Sequence, residues 1–224
     1  MLIICDYRLP EEIKNNLRKR GEVVDFRTEG IVYEAISGHP DIFFHKAGNV
    51  IVHAPNVPSK YLKIIDSNNV NLISGEKPLG KEYPNTIYYN AVADKNKLYC
   101  NSKFIDSVVV NAHKGKEVVH LNQGYAACNL VIGNKSVLTS DKGIYKQTSG
   151  FYLSPAEIVL QGVENGFIGG CCTIFQDELL LNGSLDCFSE SIVIEEFAYE
   201  NNLRITELYH GPLMDGGGLL ILDE

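Results

Sequence analysis

One pattern constrains this chain more than any other. A strand, a polar turn and a second strand recur five times, and the fifth copy is assembled from the two chain ends. The second strands read Met1 to Asp6, Val50 to Ala54, Lys97 to Asn101, Ser136 to Ser140 and Leu179 to Gly183. Aligning Cys5, His53, Cys100, Thr139 and Asn182 gives steps of about 48, 47, 39 and 43 residues. The turns then fall into register as Gly48-Asn49, Lys95-Asn96, Gly133-Asn134 and Gln176-Asp177. Gly-Asn pairs suit tight hairpins because both residues tolerate positive φ. Each second strand leads into a helical or loop stretch and then a third strand. Examples are Glu11 to Arg20 followed by Glu22 to Phe26, and Phe104 to His113 followed by Glu117 to Leu121. The stretch Tyr145 to Ile158 is the weakest, because Ser149-Gly150 and Ser154-Pro155 interrupt a helix. The first strand of the fifth unit is Gly217 to Leu222, at the chain's end, and its second strand is the chain's beginning. A linear repeat array needs capping units. Ends that complete one another predict a closed ring instead, with residues 1–224 as a single α/β domain.

Composition narrows the function classes. Hydrophobic residues make up 45% and charged residues 21% of 224 residues, a globular mixture able to bury a sizeable core. The net charge of -8 repels phosphate backbones, so nucleic acid is not an expected partner. The cluster Lys14, Arg18, Lys19 and Arg20 reads as one solvated helix face. No apolar run is long enough for a membrane span, and the start reaches Asp6 too soon for a signal peptide. A cytoplasmic protein follows, with its six cysteines as thiols. No CxxC pair and no nucleotide-binding glycine loop appear, so neither a metal nor a cofactor is expected. The oligomeric state is left open.

Five strand–strand–helix–strand units in a ring, ending in Asp215-Gly216-Gly217-Gly218-Leu219, resemble the pentein superfamily of guanidino-group-modifying enzymes. The resemblance covers nearly the whole chain and implies a five-bladed, pseudo-symmetric β/α propeller whose last blade is closed by the N- and C-terminal strands. It also implies a nucleophilic Cys shortly after the glycine run, a His, and acidic residues that hold a guanidinium. Here the chain departs from the pattern. Leu222 stands at the position matching the nucleophile and Ile221 where a His is usual.

Polar residues still gather at one level, on the approaches to the first strands. They are His39-Pro40-Asp41, Tyr89-Asn90, Cys128-Asn129, Cys171-Cys172 and Asp215-Gly216, while Ile42-Phe43-Phe44 and Leu130-Val131-Ile132 read as apolar first strands. A ring's centre is a usual place for a ligand. Two readings follow. In the first, the protein is a ligand-binding or scaffold protein that has lost the standard Cys catalysis. Its central pit takes a small cationic or amidino compound. Asp215 would pair with the cation, Asn90 and Asn129 would hydrogen-bond it, and Gly216 and Gly217 would permit close approach. His210, ahead of the last first strand, would overhang the mouth. In the second, a thiol-dependent hydrolase or transferase acts on a guanidino or amide substrate through a relocated Cys128, Cys171 or Cys172. His39 would be its base, oriented by Asp41 on the same strand face. A metal held by His39, Cys128, Cys171 and His210 would need four ligands to converge from separate blades, and nothing in the spacing indicates it.

Overall fold

The computed structural model describes residues 1–68 and 70–223. Its strands form five sheets of three, each built on the same plan. β1 (Leu2–Asp6) runs parallel to β2 (Glu22–Phe26), and α1 (Glu11–Arg18) connects them. Parallel neighbours need such a crossover. A one-turn helix, α2 (Pro40–Phe43), leads into the hairpin of β3 (Phe44–Ala47) and β4 (Val50–His53). α3 (Ser59–Asp66) then carries the chain to β5 (Asn71–Ser74), parallel to β4. The third unit is β6 (Val92–Ala93), β7 (Lys97–Cys100), α4 (Ser107–Ala112) and β8 (Glu117–His120). The fourth follows α5 (Ala126–Asn129) with β9 (Leu130–Ile132), β10 (Val137–Thr139), α6 (Lys142–Thr148) and β11 (Phe151–Tyr152). The fifth follows α7 (Ile168–Cys171) with β12 (Cys172–Phe175), β13 (Glu178–Leu181), α8 (Ser191–Glu200) and β14 (Arg204–Glu207). β15 (Leu220–Leu222) then returns to β1, pairing antiparallel with Leu2 opposite Leu222 and Ile4 opposite Leu220. Head and tail thus complete one sheet, and the five sheets fit a five-fold pseudo-symmetry.

Burial explains why the middle strands read most clearly. β1 and β13 are buried along their whole length, and β4 and β7 at all but their first residue. A strand covered on both faces reads as an apolar run. The third strands are sheet edges, and β2, β8 and β14 carry charge, as in Glu22-Val23-Val24-Asp25-Phe26 and Glu117-Val118-Val119-His120. Phe26 anchors one core, its ring 5.1 Å from Phe43, 5.3 Å from Phe44 and 4.6 Å from Tyr61. Leu2, Leu220 and Leu222 join that same core. Leu222, at the position where a nucleophile is implied, is therefore a core side chain, and Ile221 packs into a neighbouring cluster with Ile3 and Leu17.

Several local expectations are corrected. Ile42 and Phe43 belong to α2 rather than to a first strand, since Pro40 starts a helical turn and Phe44 is the first extended residue. Cys171 closes α7 and Cys172 opens β12, so only the second of the two adjoining thiols is on the first strand. α6 begins at Lys142, earlier than the sequence suggests, because the Asp141 carboxylate caps it by accepting from the Ile144 N–H at 2.8 Å. Lys14 is not on a solvated face. Its ammonium is buried, donating to the Tyr7 carbonyl at 2.7 Å and pairing with Asp25 at 2.9 Å. Arg20 likewise turns to Glu178, at 2.7 Å.

Candidate functional site

The one-turn helices ahead of the first strands build the site. His39 is the residue before α2, and Asp41 lies in its first turn. They are not neighbours on a strand face, yet the turn brings both side chains to the same place. α5 delivers Cys128 to them. The Cys128 thiol donates to Asp41 Oδ2 at 2.9 Å, and the His39, Asp41 and Cys128 ligand atoms lie within 4.8 Å of one another. Asn90 braces the pair. Its amide donates to Cys128 Sγ at 3.3 Å and to the Asp41 carbonyl at 3.2 Å, while its own oxygen accepts the Ala127 N–H at 2.8 Å.

The His39 ring sits between two more carboxylates. Nε2 faces Asp6 Oδ2 at 3.7 Å and Nδ1 faces Asp215 Oδ1 at 3.8 Å. Both separations exceed a hydrogen bond. His39 is 1% exposed, and neither ring nitrogen has a hydrogen-bond partner; the same is true of Asp41 Oδ1. Asp215 is fixed from the backbone, accepting from Phe167 N–H at 2.8 Å and Gly217 N–H at 3.0 Å. Asp6 is held by Arg8, which donates from Nε at 2.9 Å and Nη2 at 2.5 Å and also reaches the Glu34 and Ala35 carbonyls. Three buried or half-buried carboxylates therefore surround one imidazole, and only Asp6 has a guanidinium beside it.

Burial sets the proton affinities. It pushes Asp41 up to about 6, with His39 and the Cys128 hydrogen bond working the other way. Burial also raises Asp215. Cys128 goes well above an ordinary thiol, first by burial and then by the Asp41 and Asp215 charges. A thiol so placed stays protonated and is a weak nucleophile.

The cluster meets a cavity of about 310 Å³, to which all five first strands contribute through residues such as Phe44, Val92, Val131, Thr173 and Leu220. Asp41, Gly217 and Gly218 also line it. Gly217 has φ of +68°, and a Cβ there would run into the His39 ring and come within 2.7 Å of Asp41 Oδ1. Only glycine fits over these two side chains. A smaller void of about 20 Å³ touches Asp6, Arg8 and Asp215.

His39, Asp41, Asn90, Cys128, Asp215 and Gly217 are thus gathered, and the other candidates are not. Asn129 spends its amide on the Tyr125 carbonyl and accepts from Ser140. Cys171 is buried with its thiol toward the Phe167 carbonyl at 3.4 Å. Cys172 lines the cavity, with burial raising its pKa. Gly216 packs beside Leu9, and its N–H donates to the Gly170 carbonyl. His210 is exposed and its N–H meets Glu12 at 3.4 Å, away from the cluster's hydrogen bonds. Sequence reading missed Asp6 and Arg8. A signal existed: in the column after the aligned strand ends, Asp6 stands with Ala54, Asn101, Ser140 and Gly183, and is the single charge.

Comparison with known proteins places this chain. Residues 4–220 match the model of a family described as Family of unknown function (DUF6873). The chain belongs to that family. No curated protein matches it. The fold of this DUF6873 chain is pentein-like, as two solved structures indicate. DDAH from Pseudomonas aeruginosa, complexed with citrulline, aligns with a TM-score of 0.55 at 10% identity, over 92% of this chain and 91% of that one. SxtG, an amidinotransferase from Microseira wollei in the saxitoxin biosynthetic pathway, aligns with a TM-score of 0.55 at 9% identity, over 92% and 87%. At such identities the likeness speaks to the fold alone. No helix among the described residues is long and apolar enough to cross a membrane.

Proposed function

We propose that this chain is a ligand-binding protein in which five blades close into a ring around the central cavity, and that the cavity takes a small compound with a cationic amidino or guanidino group. The observation that carries the reading is Asp41 Oδ1, a buried carboxylate oxygen without a partner on a residue that lines the cavity. An unmade hydrogen bond of this kind costs about 1–3 kcal/mol, more for a charged group, and an ordinary core would not keep it. A planar guanidinium offers the donors that such a carboxylate lacks. Asp215 adds a second carboxylate beside His39, and a cavity of about 310 Å³ is at the lower end of small-ligand sites. The guanidino chemistry of the two solved neighbours, a DDAH and an amidinotransferase, supports the choice of ligand class.

A second reading has a specific observation behind it. Cys128, hydrogen-bonded to Asp41 and close to His39, is the one thiol in the cluster, and a thiol-dependent hydrolase or transferase would use it with His39 as base. Its burial and raised pKa favour binding over catalysis.

Calorimetric titration with agmatine and with arginine separates these. Binding without turnover, weakened about 10–100-fold by Asp41→Asn and unaffected by Glu29→Gln at the surface, is the expected result. Absence of binding to any guanidino compound refutes the first reading. Release of urea or ammonia from the compound, lost in Cys128→Ser, favours the second.

A further inference from the structure

From the same cluster we infer that His39, Asp41 and Cys128 form a binding site for a divalent transition-metal ion, with zinc the best match. The inference shares with the guanidino reading the unpartnered oxygen of Asp41. It requires Cys128 as well, which that reading does not.

Geometry supports it in three ways. First, three side chains of ligating type offer atoms within 4.8 Å of one another, the compactness that one small ion demands. Second, the atoms are receptive. Both His39 nitrogens and Asp41 Oδ1 are buried without partners, and Cys128 Sγ is held at 2.9 Å from the other Asp41 oxygen. Third, the surroundings match those of a bound metal. A ligating imidazole usually gives its other nitrogen to a carboxylate, which orients the ring. His39 has a carboxylate facing each nitrogen, Asp6 and Asp215, and both are held by other hydrogen bonds. Whichever nitrogen binds the ion, the other has a carboxylate at 3.7 or 3.8 Å, a separation that a small turn of the ring would close to a hydrogen bond.

The donor set selects the ion. Magnesium and calcium take oxygen shells, whereas a thiolate, an imidazole and a carboxylate together suit zinc and its first-row neighbours. Three protein ligands leave a fourth position open. Asp41 lines the cavity, so that position is reachable by water or a small donor molecule. Binding replaces the Cys128 S–H bond with a sulfur–metal bond, and the proton leaves to solvent. No electron is transferred.

Cobalt is the probe, since a thiolate ligand gives cobalt a charge-transfer absorption. The full chain, stripped with a chelator, is titrated with Co²⁺ and then Zn²⁺. One equivalent of cobalt should bind with this band, and zinc should remove it. Cys128→Ser should abolish the band and weaken binding at least about 100-fold, beyond the roughly 10–100-fold that losing an outer partner costs. Cys187→Ser, at the exposed thiol, should keep it. If Cys128→Ser fails to fold, X-ray absorption of the zinc-loaded wild type decides, with one sulfur expected at about 2.3 Å beside nitrogen and oxygen at about 2.0–2.1 Å. A band that survives in Cys128→Ser, or a shell without sulfur, overturns the inference. Agmatine binding to metal-free protein that shows no cobalt band would sink the metal site and leave the guanidino reading standing. A cobalt band without agmatine binding would do the reverse.

Discussion

If the chain's last strand completes the sheet begun by its first, then Leu222 is a structural keystone rather than a frayed end. Leu222 is 2% exposed, lies directly opposite Leu2, and shares a core with it. Truncating a buried Leu to Ala costs about 2–5 kcal/mol, and a site near a terminus can relax, so Leu222→Ala should cost about 2–3 kcal/mol. For a domain of this size that is a fall in Tm of about 4–12 °C. Urea denaturation followed by circular dichroism measures it directly. Ile192→Ala, 59% exposed on α8, should stay within about 0.5 kcal/mol and serves as the control. Because Leu2 and Leu222 touch the same core, Leu2→Ala and Leu222→Ala together should depart from additivity by about 0.5–1 kcal/mol. A Leu222→Ala variant as stable as the control, or strict additivity with Leu2→Ala, would refute the shared sheet.

Other outcomes follow from the same structure. A circular permutant that joins the old termini and opens at Gly48-Asn49, an exposed hairpin turn, should fold with native far-ultraviolet dichroism, since the old ends already pair. Glu178 is held down to about 2, chiefly by Arg20 and then by Thr206, against about 4.3 in an unfolded chain. A depressed carboxyl stabilises above its unfolded value and loses that contribution as pH falls through the folded one. The stability gap between wild type and Glu178→Gln should thus be full above about pH 5 and close toward pH 2 in denaturation midpoints. Iodoacetamide followed by peptide mass mapping should label Cys187 rapidly, and Cys128 at a rate set by unfolding, because Cys187 is the exposed thiol and Cys128 is buried. Rapid labelling of Cys128 in the folded chain would argue for the catalytic reading.

The repeat was legible because its middle strands are covered on both faces and its turns carry Gly-Asn or a relative. Those properties are local, so they survive in a linear string. The helices of a single turn were not legible. α2, α5 and α7 are four residues each, too short for a 3.6-residue period to register, and apolar residues such as Ile42-Phe43 read equally well as strand. The candidate site was half legible. Its members could be found by asking which polar residues share one level of the repeat, which brought out His39, Asp41, Asn90, Cys128 and Asp215. Asp6 and Arg8 lie outside the first-strand approaches, and only the fold brings Asp6 to face His39, although Asp6 is the single charge in its repeat column. The buried pairing of Lys14 with Asp25 also escaped, where a charge pattern suggested solvent.

The antiparallel edge of β1 is covered by β15, which is made long after it. Throughout synthesis that edge must stand open, a row of unpaired amides and carbonyls beside apolar side chains. β1 is therefore sealed only once β15 has emerged, and a chain halted before Leu220 would hold out a sticky strand with nothing to seal it.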